Sequence, residues 1–208
     1  MKKVTTPALW LLALIAGLLS MPASAVTQCI HSFPLQLCVQ DSGTPSVTRL
    51  APGFGQHAQY ANGSDWGSTV WLGSQGFSTG WTFANAVTPV SNFTTGSGTR
   101  FDPYVITTIV DLGSTDVRLT QSFRYVTGDS YIHKSWRIEN RGFGTYSTLK
   151  FYHGGDAALG GVTSSGGYFD FSLGLAYTYH TATPELGLMG LRSAPGAQSH
   201  SHYAAGSS

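Results

Sequence analysis

Cysteine is almost missing from this 208-residue chain: Cys29 and Cys38 are the only two. Charge is equally scarce, with 10 Asp and Glu against 11 Lys and Arg for a net +1. Without a basic block or an acidic tail, a phosphate backbone has no electrostatic footprint to meet, and nucleic acid is not an expected partner. No P-loop and no G-x-G-x-x-G between strand and helix occurs, so a nucleotide cofactor has no motif to rest on. Long helical periodicities are absent after the first 25 residues, and so is any run long enough to span a membrane as a helix.

What the chain does have begins at its start. Lys2 and Lys3 precede an apolar run from Ala8 to Leu19, and Ala23-Ser24-Ala25 closes the stretch. This is the three-part plan of a cleaved export signal of bacterial type. The run is about 12 residues, short of the roughly 20 a spanning helix needs. The reading is therefore a signal over 1–25, a domain over 26–192 and a polar flexible tail over 193–208. The product is expected to be exported: extracellular, on the cell surface or periplasmic. In such an oxidising compartment Cys29 and Cys38 are expected to form a disulfide worth about 2 to 3 kcal/mol.

Strand signals dominate the domain. In "VRLTQSFRYV", Val117, Leu119, Phe123 and Tyr125 alternate with Arg118, Thr120, Ser122 and Arg124, the pattern of a half-buried antiparallel strand. "YIHKSWRIEN" alternates again, with Ile132, Trp136 and Ile138 against His133, Ser135, Arg137 and Glu139, and Gly128-Asp129 joins the two runs as a hairpin. "YVITTIVDLG" reads as a strand before them and "TLKFYHG" as one after. "GYFDFSLGLAYTYH" reads as one long strand, Phe169 to Tyr179 alternating throughout. The fold class is all-β, an antiparallel β-sandwich.

The stretch "LTQSFRYVTGDSYIHKSWRIENRG" with "LKFYHGGDAALGG" resembles exported bacterial β-sandwich domains of surface or matrix proteins. The positions that carry the likeness are Tyr125, Gly128, Asp129, Tyr131, Trp136, Ile138, Asn140, Gly154, Gly155 and Asp156. A looser likeness is to the galactose-mutarotase-like supersandwich, whose activity requires a His acid and a Glu base. The resemblance implies a surface module whose matched residues are turn and core positions without chemistry of their own.

Two candidate sites follow. His153 and Asp156, in "LKFYHGGDAALGG", are two potential metal ligands, where zinc wants three or four and calcium six or more oxygens. The competing reading is a strand corner, Gly154 and Gly155 bending the chain and Asp156 capping it; calcium on Asp156 is the sharper form of the metal reading. The second candidate is an aromatic platform for sugars: Tyr60, Trp66 and Trp81 among small polar residues. No catalytic residue is assigned: of the candidate carboxylates Asp129, Glu139, Asp156, Asp170 and Glu185, Asp129 falls in a hairpin turn and Glu139 on a polar strand face, and solvated positions explain both.

The expected function is thus a secreted, non-catalytic binding or structural module, with glycans or a surface protein as partner and strand-edge self-association as a further route. The alternatives are a fragment of an outer-membrane β-barrel, suggested by the long run ending at His180, and a carbohydrate-active enzyme of mutarotase type.

Overall fold

The computed structural model describes residues 26–51, 55–58, 66–80, 82, 84–155, 159, 165–180 and 188–192. The expected signal and tail, 1–25 and 193–208, lie outside these residues. Among the described residues the regular structure is entirely β, and all pairings but one are antiparallel.

β1 (Gln28–His31), β2 (Leu35–Val39), β3 (Pro45–Ala51) and β4 (Gly55–Ala58) form a meander. β5 (Trp66–Leu72) and β6 (Gln75–Ser78) form a hairpin, to which the short β7 (Asn85–Ala86) adds in parallel. β8 (Thr88–Thr95), β9 (Tyr104–Asp111), β10 (Val117–Tyr125) and β11 (His133–Asn140) make a second meander, after which β12 (Leu149–Gly155) returns to pair with β5. β13 (Ser165–Asp170), β14 (Leu175–His180) and β15 (Leu188–Arg192) form a separate three-stranded sheet.

The alternation of β10 sets the layers. Val117, Leu119, Phe123 and Tyr125 are buried, while Arg118, Thr120, Ser122 and Arg124 face outward. On the buried side two apolar clusters form. Ile30, Leu35, Leu37, Val39 and Val47 pack on Ile106, Phe123 and Tyr125; Val70, Leu72 and Phe77 pack on Val110, Leu112, Val117 and Leu119. The β8–β11 sheet is therefore one layer of a sandwich. The β1–β4 sheet and the β5–β7 sheet with β12 together form the facing layer, joined where the Thr44 hydroxyl donates to the Thr79 carbonyl. Each buried large side chain contributes about 1.5 to 3 kcal/mol relative to exposure.

Between the two clusters a polar row crosses all four strands of the first layer. Asn92, Thr108, Gln121 and Trp136 are direct cross-strand neighbours. A buried polar group is tolerable only when bonded, and this row is bonded throughout. Asn92 Nδ2 donates to the carbonyls of Val26 and Val39, and Thr108 donates to Asn92 Oδ1 at 3.0 Å. Gln121, 1% exposed, donates from Nε2 to the Gly43 carbonyl at 3.2 Å. Its Oε1 accepts from Ser68 Oγ at 2.6 Å and from Trp136 Nε1 at 3.1 Å. Gly43 itself has φ +90, and a Cβ there would collide with the Gln121 amide.

Cys29 and Cys38 are directly opposed in the β1–β2 ladder and joined as the expected disulfide, which an oxidising compartment permits.

Two expectations about strands are corrected. The run from Gly167 to His180 is not one strand: it folds back at a turn over 171–174, where Gly174 has φ +57 and the Asp170 carboxylate accepts from the backbone N–H groups of Ser172 and Leu173. Two strands of six residues replace one long one. The single long strand over 167–180 is thus a hairpin. Gly154 and Gly155 do not form a corner either. They continue β12 opposite Gly67 and Trp66, without positive φ.

Candidate functional site

His153 lies at the joint between the layers, half-buried, on β12 opposite Ser68. Its Nδ1 is 3.0 Å from Ser68 Oγ and its Nε2 is 3.2 Å from Lys134 Nζ. An ammonium only donates, so Nε2 is the acceptor and the ring proton belongs on Nδ1, donating to Ser68. Ser68 Oγ then accepts from His153 and from Trp136 Nε1 at 3.0 Å and gives its own proton to Gln121. Every bond in this chain has one donor and one acceptor. The ring also stands edge-on to Trp66, 5.9 Å away, and tilted to Trp136, 4.6 Å away.

That arrangement answers the chemical question raised by the motif. A nucleophilic Ser needs a bare nitrogen facing it and access to substrate. Ser68 is 1% exposed and its hydroxyl donates to the Gln121 amide oxygen. A metal ligand needs an open lone pair, and the Nε2 lone pair is engaged by Lys134. Asp156, the proposed second ligand, lies outside the described residues. Among the described residues no three His, Cys, Asp or Glu side chains cluster to hold an ion. Through Ser68 and Lys134, His153 extends the polar row from the core toward β11.

The aromatic platform fares differently. Trp66 was expected to be exposed, between Asp65 and Gly67; it is instead 2% exposed and packed in the core with Ile30 and Phe123. Beside it, Gly67 and Gly80 bring two distant backbone segments together so closely that a Cβ on Gly80 would overlap the Trp66 carbonyl. At 2% exposure this indole offers no face for a sugar to stack on. Tyr60 and Trp81 lie outside the described residues.

Another aromatic surface stands on the third sheet. Tyr168 is directly across from Tyr177, and Tyr179 is its diagonal neighbour, opposite Gly166. The three rings are nearly parallel in every pair, at 24°, 21° and 25°, with centroids 5.7, 5.5 and 6.3 Å apart. On the other side Tyr177 faces Gly190 of β15, which has no side chain to crowd it. Tyr168 is 46% exposed. The hydroxyl bond to Tyr168 pushes the Tyr179 phenol up from its usual range. On the opposite face of the hairpin, Phe169 and Phe171 meet edge to face at 4.7 Å, Phe171 being 89% exposed.

The sequence reading missed this cluster by taking 167–180 as continuous. In the hairpin the face changes: even-numbered Tyr168 joins odd-numbered Tyr177 and Tyr179. The signal that marks it is Asp170 followed by Gly174, an Asx-capped turn with a left-handed residue at its end.

Compared with protein-family models, curated proteins and solved structures, the chain gives no match.

Proposed function

We propose that this chain is an exported, non-catalytic β-sandwich module that recognises glycans, and that Tyr168, Tyr177 and Tyr179 form the surface that meets the sugar. The observation that carries the reading is the tyrosine cluster itself: three near-parallel rings on one sheet face, Tyr168 exposed and Tyr177 and Tyr179 half-buried, with Gly190 opposite Tyr177. Aromatic faces stack on the apolar faces of sugar rings while phenol hydroxyls bond at the periphery, and two-torsion side chains lose little entropy when bound. The disulfide supports the exported part of the reading. The commitment of both His153 nitrogens to protein partners supports the non-catalytic part.

The test is affinity electrophoresis against a panel of soluble polysaccharides with Tyr177→Ala beside the parent chain. Retardation by at least one glycan, weakened roughly three- to tenfold in the variant, is expected from the loss of one stacking ring. A panel without retardation, or a variant indistinguishable from the parent on a glycan that does bind, removes the tyrosine surface from the reading.

A further inference from the structure

The outer face of the β8–β11 sheet has a chemistry of its own, distinct from the tyrosine cluster. Two rows cross it near the end where residues 96–103 and 126–132 connect the strands. One row is Phe93, Thr107, Ser122 and Ser135; the next is Thr95, Val105, Arg124 and His133. Phe93, Thr95, His133 and Ser135 on these rows are exposed, and Thr107, Ser122 and Arg124 are half-buried. Three hydroxyls therefore stand side by side at strand spacing, about 5 Å apart, with Phe93, 44% exposed, closing one end. Tyr131, 54% exposed, stands edge-on to His133 at 5.1 Å and closes the other.

Charge on this face is unevenly compensated. Arg118 and Arg141 both bond Asp111, and Arg137 bonds Glu139. Arg124 has no acidic partner among the described residues. A guanidinium between hydroxyls and rings on a flat surface is a fork set for a carboxylate.

We propose that this face binds a carboxylated polysaccharide, with Arg124 pairing the carboxylate, Thr107, Ser122 and Ser135 bonding hydroxyls of the chain, and Phe93 and Tyr131 stacking on sugar rings. The sparse charge decides the class of polymer. Nucleic acid carries a negative charge about every 1.7 Å, and anionic membranes are met by clusters of about 4 to 8 cations. One uncompensated Arg on the strands of this face, with Arg100 in the neighbouring connection, fits neither; so few cations fit a polymer whose backbone is polyhydroxylated and whose negative charges are one to a sugar. The proposal stands apart from the tyrosine cluster and does not depend on it.

The experiment titrates the full chain with polygalacturonate and with the same polymer fully methyl-esterified, which keeps the backbone and removes the charge. Arg124→Ala, Arg137→Ala and Tyr177→Ala are measured alongside, with circular dichroism to confirm that each folds. The expected result is saturable binding to polygalacturonate, weakened tenfold or more by esterification and by Arg124→Ala, as loss of a charge-assisted bond predicts. Arg137→Ala, already paired by Glu139, is expected within about twofold of the parent. No binding to polygalacturonate, equal binding of the methyl ester, or an Arg124→Ala chain within twofold of the parent overturns the proposal. Binding that survives Arg124→Ala but is lost in Tyr177→Ala assigns the acid polymer to the tyrosine cluster instead, overturning this proposal and leaving the other intact.

Discussion

Replacing Gln121 by Met tests the polar row directly. The two side chains have similar length and volume, so packing is nearly conserved and little cavity opens. What changes is bonding. The buried Gly43 carbonyl loses its donor and the Ser68 hydroxyl loses its short acceptor, while Trp136 Nε1 keeps its bond to Ser68. A buried polar group left unsatisfied costs about 1 to 3 kcal/mol, so two of them make a loss of about 3 kcal/mol the expectation. Urea denaturation followed by tryptophan fluorescence and by circular dichroism measures it. Heating should show the midpoint lower by roughly 6 to 12 °C for a domain of this size. Gln121→Glu supplies the control. A neutral Glu can donate to Gly43 as the amide does, whereas a carboxylate at a 1% exposed site is expelled. Burial raises the folded pKa of this Glu, so its stability is fully present below the unfolded value near 4.3 and is lost as pH rises through the folded value. The deficit relative to the parent at the same pH should therefore be small at pH 4 and large at pH 7. A Met variant within about 0.5 kcal/mol of the parent, or a Glu deficit that ignores pH, refutes the reasoning, since surface-like substitutions fall in that range.

Reducing the Cys29–Cys38 bridge, which closes a loop of sequence separation 9, should lower stability by about 2 to 3 kcal/mol without unfolding the domain; an unchanged melting temperature after confirmed reduction contradicts this. Asp111 is held below the usual carboxylate range chiefly by its hydrogen bond from Arg118, at 2.8 Å, with Arg141 assisting. A lowered folded pKa gives stability that is present above the unfolded value near 3.9 and lost as pH falls through the folded value. Asp111→Asn should thus cost about 1 kcal/mol at pH 7 and nothing at the acid end of a urea-denaturation series, a difference that vanishes if the ion pair is idle.

Much of the architecture was legible because burial on one face writes a period of two into the sequence. β9, β10 and β11 carry that period plainly, and the turn at Gly128, with φ +94, joins the last two. The polar row was not read, although its trace is present. Gln121 and Thr108 fall in the apolar phase of their strands, and a polar residue in that phase is the sign of a partner across the layers. Lys134 belongs to the same exception: it lies cross-strand from buried Phe123, with Nζ 5.6 Å from the ring centroid. Trp66 was misjudged because composition around it looked like a loop, while its environment depends on Gly80, fourteen positions later, which nothing local reveals. The hairpin over 165–180 was misjudged because its turn leaves the alternation unbroken in sequence while reversing the chain in space.

The row of Asn92, Thr108, Gln121 and Trp136 also removes an ambiguity that alternation leaves open. Sliding one layer past the other by two residues keeps every inward side chain inward, so the greasy pattern alone tolerates a whole series of staggered dockings. In an alignment displaced by two residues along β5, Gln121 would meet Trp66 or Val70 instead of Ser68 and would lose the Gly43 carbonyl, leaving a desolvated amide without its partners. The few hydrogen bonds at mid-height thus act as an index mark, selecting one alignment of the two layers from a set that the hydrophobic core by itself would leave nearly equal in energy.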